Sequence, residues 1–495
     1  MSNMKLDNRM KLKFKKVLIK EQVFKLQELL NKKFKNCEVY LVGGSVRDIL
    51  LNRDIKDIDI LIKGVKIKEL EVELKRFGKV SLVGKRFSVI KFSFKGSNSQ
   101  LDIAIPRKDF AYGTGGYRDF TIKSDPNLPI EEDLARRDFT INAIAYNVGE
   151  NRLTDPFNGL GDLSLKVIRT VGNPNERFKE DYSRMLRAIR FSMQLDFKIE
   201  SKTLLSVKNN ISKINSKTKD GERKVSLEII SAEFLKAFDA KEKQTIELYD
   251  KVNALKFIMP EFLKLKKCNQ PREFHAEGDV WKHTLLALDM IYTPQFKKYF
   301  KEDLSIDTKV ALLLHDIGKP KTRGMFNGKM RFKNHDKVGA DITRIILNRL
   351  KASSDPTFGV NIEEVVLLVK NHLIFCYSDP KEMKKTTLEK YLFNDKFSGD
   401  GLLQLFLADA LATRPKGQDS DLSRFKTVFK FKKALAKKRT ITAPKALLTG
   451  NEVMKILNIK AGPEVGRFLL DLREEQLKGK VKNKLEAKRY IKSCI

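Results

Sequence analysis

In the first third of the chain, apolar residues fall in short runs, consecutive or alternating, broken by Gly, Asn and Lys. That pattern predicts strands at 39–42, 55–62, 80–83, 88–94 and 101–105, with a short helix start at 45–51 between the first two. From about residue 131 the period becomes helical. Tyr182, Met185, Leu186, Ile189 and Met193 stand at i, i+3, i+4, i+7 and i+11, the apolar face of one amphipathic helix. A Ser/Lys/Asn-rich stretch at 212–222 reads as a solvated connection, and lysine-rich 430–438 leads into a linker at 440–444. The expected order is an α/β head at 20–160, a helical neck at 161–265, a third helical domain at 266–425 and a basic helical tail at 440–495.

Composition changes that picture in two ways. The 495 residues carry 98 Lys+Arg against 63 Asp+Glu, a formal +35, which points to a polyanionic partner such as nucleic acid. The chain has 5 histidines, all between His275 and His372, so that region is expected to carry its own chemistry. Cys37, Cys268, Cys376 and Cys494 form no C-x-x-C pair, which argues against a disulfide framework or cysteine zinc site and fits a reducing cytoplasm. No apolar run approaches a membrane span and no signal-peptide pattern is seen at the start, so a soluble cytoplasmic protein with no membrane partner is expected.

The head holds the first chemical signal. Gly43 and Gly44 close a strand and open a helix, where exposed backbone N–H groups favour a phosphate. Asp57 and Asp59 stand two apart in an apolar run, which as a strand places both carboxylates on one face, roughly 7 Å apart. Such a pair can share two Mg²⁺ ions for in-line phosphoryl transfer. Asp102, among apolar strand residues, is placed to be a third ligand or the base for an attacking hydroxyl. The segment 41–60 resembles the first motif of the class II tRNA nucleotidyltransferase and bacterial poly(A) polymerase family, G-G-x-V-R-D-x-L-L-x-R-x-x-x-D-x-D. The resemblance implies a polymerase-β-like head with a mixed sheet and helices. It assigns Gly43, Gly44, Ser45, Arg47 and Asp48 to the triphosphate-binding and fold-forming part, and Asp57 and Asp59 to Mg²⁺.

Further blocks are similar to the same family. Residues 133–143 resemble its second motif, implying ribose and phosphate contacts from Arg136, Arg137, Asp138 and Asn142. Residues 155–159 resemble its hinge, and 180–191 its E-D-x-x-R motif, with Asp181, Arg184, Arg187 and Arg190 expected at the nucleotide. Asp181 and Arg184, at i and i+3, are expected as neighbours on one helix face. A carboxylate accepts from an exocyclic amine while a guanidinium donates to a ring nitrogen, a pairing that C and A satisfy and U and G do not. The chain departs from the family after the neck: Ile229 stands where arginine is usual, so Glu228 and Glu233 are read as structural.

His283, His315-Asp316, His335, His372 and Asp409 follow the order H…HD…H…H…D and resemble the HD domain of metal-dependent phosphohydrolases. Imidazole and carboxylate donors suit a divalent transition metal, a second cofactor beside Mg²⁺. His275, in a run resembling the block that opens this domain, is read as structural. The leading expectation is addition of CCA to a tRNA 3′ end from CTP and ATP, with phosphoester hydrolysis by the HD domain. The alternatives are a poly(A) polymerase, favoured by the block at 82–89, and a CC-only or A-only enzyme. A phosphohydrolase whose head only binds nucleotide, and a non-catalytic RNA-binding protein, complete the set. The glycines at 113, 115 and 116 are expected in a flexible loop at 107–119 that helps the site pass from C to A.

Overall fold

The computed structural model describes residues 3–5, 8–55, 57–83, 89–111, 114–116, 120–377, 379–439 and 446–494. The chain divides into two compact units, Met1–Ile258 and Met259–Ile495. The head and nearly all of the expected neck fall in the first; residues 259–265 belong to the second.

Among the described residues, ten strands build the head: β1 (Asn3–Lys5), β2 (Glu38–Val42), β3 (Ile58–Lys63), β4 (Gly78–Val83), β5 (Val89–Phe94), β6 (Leu101–Ala104), β7 (Arg107–Ala111), β8 (Phe120–Ser124), β9 (Ala145–Asn147) and β10 (Arg152–Thr154). Eight make a mixed sheet in the order β1-β10-β9-β2-β3-β6-β5-β4, in which β3 and β6 run parallel. The expected strands are all present, β3 starting later than its apolar run. That run begins before 58, but Asp57 precedes the strand and is bound through its backbone to a side chain instead of a ladder. β2 and β3 are buried almost throughout because both faces are covered, whereas β5 alternates buried and half-buried positions. The early helices Asn8–Lys20 and Val23–Lys33 bury Phe14, Leu18, Val23, Leu26 and Leu30, and Phe14 stacks on Tyr146 of β9 at 4.1 Å.

Three expectations are corrected here. Helical periodicity after 131 does not end the sheet, since β9 and β10 join it; short strands buried on both faces carry no alternation to read. The stretch 107–119 opens as a strand instead of a loop: residues 107–111 are β7, paired with β8, while 114–116 lie between the two strands and 112–113 and 117–119 lie outside the described residues. The solvated connection at 212–222 contains a 3-10 turn, Ile211–Asn215, whose Ile211 and Ile214 are buried. The expected linker at 440–444 and residues 84–88 of the block at 82–89 also lie outside the described residues.

In the second unit, helices Val280–Met290, His335–Arg349 and Gly399–Ala412 carry His283, His335 and Asp409, and His315 and His372 directly follow helices Ile306–Leu314 and Ile362–Asn371. A hairpin, Arg323–Phe326 with Lys329–Phe332, stands beside them. The tail, Gly450–Leu457, Pro463–Leu477 and Lys484–Lys492, closes on its own core of Leu448, Val453, Leu472 and Ile491. Among the described residues no helix is long and apolar enough to cross a membrane.

Candidate active sites

The β2-to-helix turn builds one wall of the first site. Gly43 has φ +66°, a backbone that favours glycine, and a Cβ there would stand 2.7 Å from Arg137 Nη1, so that guanidinium would have to move. Two residues on, Ser45 is buried; its Oγ donates to the Asp57 carbonyl at 3.0 Å and accepts from Asp59 N–H at 2.8 Å. Ser45 therefore holds the acidic segment and is not among the residues lining the cavity; of the triphosphate-binding and fold-forming roles that the resemblance offered, its contacts are fold-forming. Asp59 lies opposite Asp102 in the parallel β3–β6 register. Burial raises the Asp59 carboxyl above its usual range; Asp102 and Asp57 add to the rise, and Arg137 and Arg47 oppose it. Clustered carboxylates in that state accept a cation readily. Lys91 Nζ holds Asp102 at 2.9 Å and 3.0 Å.

A cavity of about 920 Å³ opens over these acids. Gly43, Gly44, Arg47, Asp57, Asp59 and Asp102 line one side; Arg136, Arg137, Asp138 and Asn142 line another; Asp181, Arg184, Arg187 and Arg190 complete it. A chain of buried polar contacts fixes the basic groups. Arg47 binds Asp48 and donates to Asn142 Oδ1 at 2.8 Å, Asn142 Nδ2 donates to Asp138 Oδ1 at 3.2 Å, and Arg187 donates to Asp138 Oδ2 at 2.6 Å. Burial alone would raise the Asp138 carboxyl, but Arg187 and Arg184 hold it well below the carboxylate range. Arg47, Arg187 and Arg190 also face the Phe191 ring, at 5.1, 5.3 and 4.1 Å from its centroid.

The expected helix-face pairing of Asp181 with Arg184 is not what holds them. Asp181 is extended, between helix Pro174–Glu180 and helix Ser183–Leu195, and its Oδ1 accepts from Ser183 N–H at 2.8 Å. Arg184 instead binds Glu180 and donates to the Arg177 carbonyl at 3.2 Å. Both side chains still reach the cavity, from a helix end and a helix start. Four acids at this site were not singled out from sequence. Fully buried Asp133 binds both Arg136 and Arg137, Asp109 binds Arg136, and Glu180 joins Arg177 and Arg184. Glu233, read as structural, accepts from Arg190 at 2.6 Å and lines the cavity. Asp133 and Glu180 sat inside quoted motifs and Glu233 in the block after the neck; Asp109 carried no local signal.

The second site gathers every residue expected of it. Ligand atoms of His283, His315 and Asp409 lie within 4.8 Å of one another, as do those of Asp316, His335 and His372. The Asp316 carboxylate stands between the sets, 3.3 Å from His315 Nε2 on one oxygen and 3.3 Å from His335 Nε2 on the other. His315, His335 and His372 donate Nδ1–H to the carbonyls of Leu312, Phe332 and Val369, at 2.7, 2.8 and 2.6 Å. With that hydrogen spoken for, each Nε2 is the ring's lone-pair donor, and all three are buried without a hydrogen bond in the protein. Burial and the neighbouring His335 and His315 push His372 down to about 3, the neutral form a metal needs. Buried, unpaired, convergent imidazole nitrogens beside carboxylates fit a divalent transition metal. Glu277, also unassigned from sequence, is buried against His275 and His283.

Comparison with known proteins gives the family. A Poly A polymerase head domain matches residues 39–169, and an HD domain matches 283–394. The A-adding tRNA nucleotidyltransferase of Deinococcus radiodurans is 32% identical over 375 residues, covering 74% of this chain and 79% of that protein. The chain belongs to the class II tRNA nucleotidyltransferase and bacterial poly(A) polymerase family. Another member, the Multifunctional CCA protein of Haemophilus ducreyi, is 33% identical over 365 residues, 72% of this chain and 80% of that one. Among solved structures, the Bacillus stearothermophilus CCA-adding enzyme in complex with CTP superposes with a TM-score of 0.63 at 20% identity, covering 94% of this chain and 95% of that one. The Thermotoga maritima CCA-adding enzyme complexed with tRNA_CCA gives 0.61 at 19%, covering 100% and 99%. These two likenesses show a shared fold. As a family member, this chain is a nucleotidyltransferase of a class that works with a divalent metal.

Proposed function

We propose that the chain adds C, C and A to the tRNA 3′ end, without a nucleic-acid template, from CTP and ATP. The observation that carries this reading is the convergence of the acids Asp57, Asp59 and Asp102 with the Asp181/Arg184 pair and its arginine partners in one cavity. Asp57 and Asp59, with Asp102 beside them, would hold Mg²⁺, which when bound neutralises phosphate charge and lowers the cost of in-line attack. Arg47, Arg136 and Arg137 supply fixed cations for the triphosphate and ribose. Arg187 and Arg190 hold the helix start that presents Arg184. Asp181 accepts from the exocyclic amine of C or A, and Arg184 donates to the adjacent ring nitrogen.

The histidine cluster would hold a divalent transition metal and hydrolyse phosphoesters; the buried, unpaired Nε2 atoms support that reading. The free cysteines fit a cytoplasmic setting for the tRNA partner.

The test incubates the protein with Mg²⁺, CTP, ATP and a tRNA lacking its last three nucleotides, and sizes products to single nucleotides. A discrete three-nucleotide extension needing both substrates is expected, and Asp57→Ala should abolish it. Addition of a single A to a CC end would make the chain an A-adding enzyme. A long ladder from ATP alone would make it a poly(A) polymerase. Absence of any extension would overturn the reading.

A further inference from the structure

Four histidines face the second site, and they are not held alike. For His315, His335 and His372 the Nδ1–H acceptor is the carbonyl three residues back. Those carbonyls are available because His315 and His372 follow the last turn of their helices and His335 opens its own. His283 lies inside helix Val280–Met290, and the carbonyl three residues back, that of Val280, already accepts from Thr284 Oγ1 at 2.8 Å. Its ring needs an acceptor from outside the helix. Glu277 provides it: Oε1 stands 2.8 Å from His283 Nδ1 and 2.7 Å from His275 Nδ1. The second oxygen of Glu277 accepts from the Arg414 backbone N–H at 3.2 Å. The Glu277 side chain is only 4% exposed, and His283 is fully buried.

Arg414 follows the helix Gly399–Ala412, which carries Asp409, and the two segments are laced together. Ala276 N–H binds the Arg414 carbonyl at 2.8 Å, and Lys416 N–H binds the Glu273 carbonyl at 3.1 Å. His283 Nε2 in turn stands 2.9 Å from Asp409 Oδ1. Glu277 is thus anchored to the strand of chain that presents one carboxylate ligand while it orients the imidazole beside it. A carboxylate acceptor also makes the opposite ring nitrogen a stronger donor than a carbonyl acceptor does.

We infer that Glu277 is the positioning residue of the HD site, fixing His283 through Nδ1 so that Nε2 and Asp409 meet a divalent transition metal together. His275 is its partner on the same oxygen, holding the carboxylate in place without reaching the metal. This rests on the metal reading of the histidine cluster given above.

The test uses the full chain, stripped of metal and titrated with Co²⁺ in excess Mg²⁺, so that carboxylate-only sites stay occupied by Mg²⁺ while the imidazole site takes Co²⁺. Affinity and the visible Co²⁺ spectrum are both read. Glu277→Gln should weaken Co²⁺ binding by roughly 10- to 100-fold and shift the spectrum, while the melting temperature of the metal-free protein changes little. In a His283→Ala background the same substitution should have no further effect, because its path to the metal is gone. Glu277→Asp keeps the charge and withdraws the oxygen, and should weaken binding in the same direction even if the amide variant folds poorly. Wild-type affinity in both Glu277 variants, or an equal loss with and without His283, would overturn the inference. No Co²⁺ binding by the wild-type chain would overturn the metal reading itself, and this inference with it.

Discussion

One hydroxyl holds the segment that carries Asp57 and Asp59: Ser45 Oγ bonds to the backbone at both positions. Ser45→Ala leaves the buried Asp59 N–H without its partner, a loss of about 1–3 kcal/mol, read by chemical denaturation. It should also lower kcat for nucleotide addition more than it raises KM, because the metal-binding carboxylates move while the arginines of the nucleotide wall stay in place. From sequence Ser45 was grouped, by resemblance, with the triphosphate-binding and fold-forming residues. Its real partners lie 12 and 14 residues along the chain, and only the fold brings them to it. Asp133 teaches the same lesson: it was visible in a motif, but its hold on Arg136 and Arg137 depends on the turn after helix Ile130–Ala135.

At the scale of elements, Gly115, between β7 and β8, meets the segment proposed to select the nucleotide. The Gly115 carbonyl accepts from Tyr182 N–H at 3.1 Å, one residue past Asp181. Gly115 has φ +81°, and a Cβ there would overlap the Tyr182 ring, 1.9 Å from Cε2. Gly115→Ala should cost about 1–2 kcal/mol from the left-handed backbone alone, with the ring clash added, measurable by chemical denaturation. It should also slow addition of both C and A, measured in single turnovers, because the chain next to Asp181 is displaced. The glycines were legible as a special stretch, and Gly115 and Gly116 do lie between the paired strands; that strand β7 opens the stretch was not legible. The pairing of β7 with β8 rests on hydrogen bonds between two segments whose side chains show no clean alternation.

On the scale of the whole molecule, each site is built within a single compact unit, the acids and arginines within Met1–Ile258 and the histidine cluster within Met259–Ile495. The two chemistries should therefore separate cleanly. His315→Ala should leave CCA addition within a few-fold of wild type and abolish metal-dependent phosphoester hydrolysis, and Asp57→Ala should do the reverse. Parallel assays of both variants on a tRNA end and on a simple phosphomonoester check this. Loss of both activities in either variant would show that the units depend on one another.

The residue types and spacings of the chain, with the family resemblance, were enough to place the acids on an α/β head, the histidines in a helical body and Arg184 on a neck helix. Those features are local: a strand, a turn or a helix needs only neighbours in sequence, and a metal ligand is limited to a few side chains. What the tertiary structure decided is which partner each charged group answers to. Arg184 took Glu180 in place of Asp181, Arg190 took Glu233, and His283 took Glu277. Burial makes an unpaired charge costly, so each such group is claimed by whichever counter-charge the packing brings within reach. That distance is set by how sheet and helices stack, and no spacing along the chain encodes it.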